Sequence, residues 1–287
     1  MIFYGRSSNH DNEHARRAYE LWSSDGNIIL CSGVCITGRN PALLMIALLC
    51  AAFPYFSFMA TRVPEKNESS WPASVWFLSA WFLLTVVLIV KISLMDPGII
   101  PRRQFLDKIY GGSEDPENQD AVLGHDSLDP FGTSAGSTFC YTCEIHRPVG
   151  AAHCSECNNC VMGFDHHCAV LNNCIGSRNY PYFVALLPCI FMLTISFVMQ
   201  IKFNGPEAPP DDVSNVPAFL LFLRDLGFLV AVVALLFVIG FSLYHAWLLF
   251  WARTTTKTHV TGRGLTDLSI WDRLRGVDSL LDLRSPI

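Results

Sequence analysis

The sequence predicts an integral membrane all-α protein, with four transmembrane helices and a small cytosolic double-zinc cysteine-rich domain between helices 2 and 3. Three observations carry this. Four stretches with few or no charges are each long enough to cross a bilayer as a helix. Lys and Arg collect in the segments on one side of those stretches. Seven of the eleven cysteines and four of the nine histidines lie between Cys140 and Cys174.

Residues 1–41 are polar and mixed, and read as a cytosolic N-terminal segment. The start has no basic region followed by an apolar core, so no cleavable signal peptide is expected. Ala15–Trp22 fits a short interfacial helix and fits a solvated stretch at least as well. Cys31 and Cys35, close to the first span, are read as small buried residues in preference to acylated juxtamembrane thiols.

Residues 42–95 hold helices 1 and 2. Ala42–Ala60 is uncharged and contains Pro54, a kink that membrane helices tolerate. Thr61–Ser70 is a short loop. Trp71–Met95 is rich in Trp and Phe, with Lys91 near its end, where the ammonium reaches the interface. Asp96-Pro97-Gly98 then stops the helix, because proline lacks an amide donor and glycine permits the turn. Residues 96–138 combine this motif with a linker full of Gly, Asp, Ser and Pro.

Residues 139–179 form the zinc domain, and residues 180–251 hold helices 3 and 4. Tyr180–Phe203 begins about six residues after Cys174, which ties the zinc domain to the membrane surface. Asn204–Pro217 is a loop of helix breakers. Leu226–Trp251 is the fourth span, preceded by Arg224 and Asp225 at the interface; His245 within it reads as a packed or hydrogen-bonded residue. Residues 252–287 form a basic, then amphipathic cytosolic tail, in which Leu268, Trp271, Leu274, Val277 and Leu281 share a helical face. Packing on the protein and lying on the membrane both fit that face.

The basic residues set the orientation. Arg6, Arg16, Arg17 and Arg39 precede the spans, Arg102, Arg103, Lys108, Arg147 and Arg178 fill the central loop, and Arg253, Lys257, Arg263, Arg273, Arg275 and Arg284 follow. The two short loops hold only Arg62 and Lys66. Both termini and the zinc domain therefore face the cytosol. The sequon Asn67-Glu68-Ser69 falls on the lumenal side and lends weak support. A net charge of −5 and a pI near 6.0 argue against nucleic acid as a partner.

Within Cys140–Cys174 three C-x₂-C spacings overlap: Cys140/Cys143, Cys154/Cys157 and Cys157/Cys160. Two tetrahedral zinc sites take eight ligands, fewer than the cysteines and histidines available, so some remain free. Such thiolate clusters fit a reducing compartment. Neighbours in an extended segment point to opposite sides, which separates His153 from Cys154 and His166 from His167. If one histidine of the second pair holds zinc, the other stands free beside Asp165 and Cys168. A carboxylate, an imidazole and a thiol are the parts of an activated cysteine nucleophile.

The pattern C-x₂-C-x₉-H-C-x₂-C-x₂-C-x₄-D-H-H-C-x₅-C-x₄-N-x₃-F runs from Cys140 to Phe183. Together with Asp96-Pro97-Gly98 after the second span, it resembles the DHHC-type protein S-acyltransferases (palmitoyltransferases). The resemblance covers residues 40 to 258. It implies two structural Zn²⁺, one held by Cys140, Cys143, His153 and Cys160 and the other by Cys154, Cys157, His167 and Cys174. Asp165, His166 and Cys168 stay metal-free and form the catalytic group, while His146 is left as a solvated loop residue. It further implies palmitoyl-CoA as acyl donor and transfer through an S-acyl-Cys168 intermediate. His166 acts as base and Asp165 orients it. The acyl chain lies in a cavity among the helices, and Arg147 meets the CoA head group.

Implied partners are the lipid bilayer and cytosolic or membrane-associated proteins with juxtamembrane cysteines, in the Golgi, endoplasmic reticulum or plasma membrane. The chain departs from the family pattern at Ala169-Val170 (usually Pro-Trp), Gly150 (often basic) and Lys257 (usually Glu after Thr-Thr-x), and the tail shows no clear Asn-and-aromatic motif. None of these removes a proposed catalytic or metal residue. The alternative is a non-catalytic zinc-containing membrane scaffold that binds partner proteins.

Overall fold

In hydrocarbon a backbone amide finds no partner but its own chain, so long uncharged runs become helices. In the computed structural model, which describes residues 26–31, 34–61, 73–104, 138–148, 150–203 and 217–247, they do. The helices are α1 (Ala42–Thr61), α2 (Ala73–Leu94), α3 (Tyr180–Phe203) and α4 (Ala218–Trp247). All four are long and apolar enough to cross a membrane, which makes this a multi-pass membrane protein. Their outer faces carry Leu49, Trp76 and Phe237, each more than 60% exposed in the isolated molecule and suited to lipid contact.

Inside the bundle, Phe58, Leu78, Leu193, Phe197 and Ala231 pack together from all four helices. Where α1 bends at Pro54, α4 comes close: a Cβ on Gly227 would meet Ser57 Oγ at 2.6 Å and Pro54 Cα at 3.2 Å. A small residue is what such a helix contact needs. Lys91 holds its ammonium 3.6 Å from the centre of the Tyr182 ring on α3.

The fourth helix starts eight residues earlier than the charges suggest. Arg224 and Asp225 lie within α4, not before it, and pair with each other at 2.9 Å. Ala218–Leu223 continue the helix outward to Pro217, because charges in the outer turns of a helix longer than the hydrocarbon core do not break it. At 1.5 Å per residue α4 is about 45 Å long, well beyond a hydrocarbon core of about 30 Å.

Between α2 and α3 the chain forms short antiparallel pairings. Strand β3 (Ile99–Ile100) pairs with β7 (Asn159–Val161), which pairs with β6 (Ala152–Cys154); β4 (Thr138–Cys140) pairs with β5 (Ile145–Arg147), and β8 (His166–Cys168) with β9 (Asn173–Ile175). Their turns pass through a left-handed residue: Glu144, Asn158 and Asn172, with φ between 51° and 55°. Asn is among the few side chains that adopt this conformation readily.

Ahead of α1, part of the segment read as polar and mixed forms a hairpin, β1 (Asn27–Leu30) with β2 (Cys35–Gly38). It docks on the cysteine-rich module. Gly38 N donates to Asn172 O at 2.6 Å, Asn159 Nδ2 donates to Asn27 Oδ1 at 2.7 Å, and Ile36 is buried beside Cys154 and Cys157. Cys31 is exposed and Cys35 half-buried at the hairpin's turn, so neither is the fully buried residue expected. The Ala15–Trp22 stretch, the sequon and the C-terminal tail lie outside the described residues.

Two devices bolt the module to the bundle. Asp96 Oδ1 accepts from the amides of Gly98 and Ile99 at 2.8 and 2.9 Å while Oδ2 pairs with Arg178, so the Asp-Pro-Gly turn links the end of α2 to the approach to α3. Arg102 reaches Asn158 O and Asn159 Oδ1; the chain is thus held to the module up to Arg102, and residues 105–137 of the expected linker are outside the described set. The second device is Asn173, fully buried, whose Nδ2 donates to Ile92 O at 3.0 Å and Met95 O at 2.8 Å at the end of α2. Those carbonyls have no intrahelical donor. Asn173→Ala is expected to cost about 1–3 kcal/mol, the penalty for buried acceptors left unpaired. A thermal melt of the purified protein would show this as a lowered midpoint, and an unshifted midpoint would refute it.

Candidate active site

Strand β8 places His166, His167 and Cys168 in succession, and the alternation of an extended backbone sends neighbours apart. His167 turns its Nδ1 toward Cys157 Sγ (3.4 Å) and Cys174 Sγ (3.7 Å). With Cys154 these form one cluster whose donor atoms all lie within 4.8 Å of one another. Cys140, Cys143, His153 and Cys160 form a second, with His153 Nδ1 at 3.6, 3.4 and 3.8 Å from the three sulfurs.

A tetrahedral ion with Zn–S of 2.3 Å and Zn–N of about 2.05 Å separates S from N by about 3.6 Å and S from S by about 3.8 Å. The S···N separations bracket this value, and Cys157 and Cys174 stand only slightly closer, at 3.4 Å. Both sets therefore fit zinc. Their protonation tells the same story. Hydrogen bonding from Cys157 drives the Cys154 thiol far below its ordinary range, and bonding with Cys154 drives Cys174 far above its own. Hydrogen bonds to Cys154 and Cys157 raise His167 to about 10. A divalent cation resolves this competition by taking thiolates and a neutral imidazole.

Cys168 belongs to neither cluster. Asp165 is 2% exposed; its amide donates to Ile175 O at 2.9 Å, and its Oδ2 lies 2.7 Å from His166 Nδ1. Nδ1 is thereby engaged and Nε2 left unengaged by Asp165, with Cys168 two residues along the strand. Burial opposes a charge on His166, but the bonds to Asp165 and Cys168 and their negative charges outweigh it, and its pKa rises to about 9. The imidazolium form is thus favoured beside the sulfur.

Phe183, near the start of α3 and in the cavity wall, packs against this group, with its ring 5.3 Å from His166 and 5.3 Å from His245. His245, 4% exposed on α4, also packs against Phe241 at 4.5 Å. Asn179 sets the position of Phe183: its Nδ2 donates to Cys174 O, its Oδ1 accepts from Gly176 N, and its own carbonyl accepts from Phe183 N.

Below Cys168 lies a cavity of about 460 Å³, within the roughly 300–1,000 Å³ span of small-molecule pockets. His166, Cys168, Ala169 and Val170 edge its upper end, and Pro54, Phe197 and Ala231 its floor. Its wall is almost wholly apolar and drawn from all four helices. Ala169 and Val170 are therefore cavity residues, and the small Val170 is half exposed.

Arg147 does not line the cavity. It sits on β5, where its Nε donates to Thr138 O at 3.3 Å. His146 is half-buried with its ring against Phe139 at 5.0 Å, and is in neither metal cluster. Sequence reasoning passed over Asn172, Asn173 and the hairpin that Asn172 holds. A fully buried Asn beside a metal ligand is the one local trace they leave.

A family model described as DHHC palmitoyltransferase matches residues 133–262. Over those residues the chain is similar to that family. It is 28% identical to "Probable protein S-acyltransferase 1" of Arabidopsis thaliana across 86% of this chain and 75% of the relative. To "Probable protein S-acyltransferase 2" of the same plant it is 30% identical, across 84% of this chain and 61% of the relative. To "Palmitoyltransferase ZDHHC14" of Mus musculus it is 28% identical, across 85% and 51%. The chain thus spans between half and three quarters of the length of these DHHC relatives.

Proposed function

We propose that this DHHC protein is a protein S-palmitoyltransferase that carries the acyl group on Cys168. The supporting observation is a thiol that belongs to neither metal-ligand cluster, next to a hydrogen-bonded Asp165–His166 pair, in the wall of an apolar cavity inside a membrane bundle.

The Cys168 thiolate attacks the thioester carbonyl of palmitoyl-CoA. The carbonyl carbon–sulfur bond to CoA breaks, and the CoA thiolate takes a proton from His166. In the second half-reaction a substrate cysteine gives its proton to His166, attacks the acyl-enzyme carbonyl and releases the Cys168 thiolate. Asp165 keeps Nδ1 of the ring engaged, so Nε2 serves both transfers. Thioester-for-thioester exchange is nearly thermoneutral, and the protein supplies the thiolate, alignment and a place for the chain. Each methylene taken from water into the cavity contributes about 0.8 kcal/mol, which favours long chains.

The residues that would hold zinc are Cys140, Cys143, His153 and Cys160 for one ion and Cys154, Cys157, His167 and Cys174 for the other. Bound there, zinc supplies folding energy and fixes β8; the reacting thiol is not one of its ligands. Arg147 is the proposed contact for the phosphates of CoA. The distribution of Lys and Arg puts the zinc domain and both termini in the cytosol. A sulfur at the membrane surface suits substrate proteins with juxtamembrane cysteines, in the endomembrane system or plasma membrane.

Intact-protein mass spectrometry after exposure to palmitoyl-CoA tests this. The expected result is one added palmitoyl group, removed by neutral hydroxylamine and mapped to Cys168. A wild-type protein that gains nothing points to a scaffold instead.

A further inference from the structure

The wall of the cavity is not equally thick all round. Ile89, Leu186, Phe197 and Val238 line it and are 5% exposed or less, so further layers of the bundle stand behind them. Two lining residues inside the spans differ. Cys50 on α1 is exposed, and Phe237 on α4 is 69% exposed. A single side chain there separates the cavity from the surrounding lipid. Both stand on the same seam. α1 and α4 run in opposite directions and touch where Gly227 meets Ser57. Towards the cysteine-rich module, Cys50 lies seven residues from Ser57 and Phe237 ten from Gly227, about 10 and 15 Å along the seam.

Little else closes the seam at that height. The cavity-lining side chains beside Cys50 and Phe237 are Ala47 and Ala51 on α1 and Ala234 on α4, each a single methyl group. Phe237 is the large side chain at the outer edge. Its ring stacks on Phe241, one turn along the same helix, with centres 5.7 Å apart and planes 11° from parallel. That contact stays within α4, and most of the ring lies outside the bundle, so little packing opposes its rotation; exposed side chains change rotamer in picoseconds to nanoseconds. The choice of route matters energetically. A chain that comes in past the cysteine-rich module passes through water, which costs free energy for each methylene uncovered. A chain that comes in between α1 and α4 stays in apolar surroundings throughout.

Building on the acyltransferase reading, we propose that the α1–α4 seam is a lateral portal for long acyl chains, with the Phe237 ring as the leaf that turns aside. The chain of a donor dissolved in the bilayer slides in between Cys50 and Phe237, and the chain of the finished product leaves by the same gap. Only the head of the donor then has to reach Cys168 from the water.

The test separates passage from fit. Full-length protein in lipid nanodiscs receives a fluorescent long-chain polyene fatty acid, with no CoA present. Energy transfer from the protein's tryptophans reports entry on mixing, and exit on chasing with excess hexadecanoic acid. A gate changes both rates by one factor and leaves the affinity alone, whereas a residue that only lines the cavity changes the affinity. Phe237→Ala is expected to speed entry and exit about tenfold each, with the affinity held within about twofold. Phe237→Trp, a larger leaf, should slow both. Leu236→Ala, on the lipid-facing side of α4 and outside the cavity wall, should change neither. Unchanged rates in Phe237→Ala overturn the portal and leave the end beside the cysteine-rich module as the way in. Rates that fail to move together overturn it too, and make Phe237 an ordinary wall residue. A wild type that takes up no fatty acid has no portal. Failure of the acyltransferase reading shows elsewhere, as a Cys168 that gains no palmitoyl group from palmitoyl-CoA, and these rates then still decide the portal.

Discussion

Cys168→Ser is expected to abolish labelling of the protein by palmitoyl-CoA while leaving its fold and zinc content intact. The two parts follow from separate observations. Cys168 lies outside both four-donor clusters, so no metal ligand is lost. Its sulfur is half-buried in the cavity wall, and an oxygen in its place disturbs little packing. The chemistry does not survive, because a serine hydroxyl is far more weakly acidic than a thiol and a far poorer nucleophile beside the same base. A loss on the order of 10³-fold or more is expected. His166→Ala should cost about 10²–10⁴-fold, the usual share of acid–base catalysis. Label retained on Cys168→Ser would place the acyl group elsewhere and sink the mechanism.

Cys157→Ser and His167→Ala should abolish acylation by a different route, since both leave Asp165, His166 and Cys168 untouched. Structural zinc contributes about 10–16 kcal/mol in small domains, as much as or more than the whole stability of a typical domain, about 5–15 kcal/mol. The hairpin that carries the nucleophile is held from beneath by His167 and Cys174, so loss of that ion frees β8. Metal analysis should show zinc falling below two per chain, with a lowered thermal midpoint and no acyl-enzyme. Removing zinc from the wild type with a chelator should give the same result. A Cys157→Ser protein that kept two zinc ions and full activity would overturn the ligand assignment.

Much of this was legible from the sequence because it is local. The first three spans are uncharged or nearly so and bounded by breakers, and the structure places helices there within a few residues at each end. Spacing separated His166 from His167 because a strand alternates whatever its surroundings. The start of α4 was hidden for a physical reason: Arg224 and Asp225 look like the end of a span, but a helix longer than the hydrocarbon core carries charges in its outer turns without breaking. The hairpin at Asn27–Gly38 was hidden more deeply. Its bonds go to Asn159 and Asn172, more than 130 residues away, and no local pattern records them. The bonds of Asn173, Phe183 against His166, and the thin wall at Cys50 and Phe237 exist only once distant helices and strands are brought together.

Asn173 ties the hairpin of Cys168 to the end of a membrane-crossing rod, and Asp96 ties that same end to Arg178 just beyond the hairpin. The reacting sulfur is therefore held at a set altitude over the lipid and cannot swing out to meet a visitor. On the proposed mechanism a substrate thiol would have to come to that height, so its distance from its own membrane anchor is expected to select among substrates. Lengthening that distance in a substrate by a few residues would retune its modification with no contact changed on the enzyme.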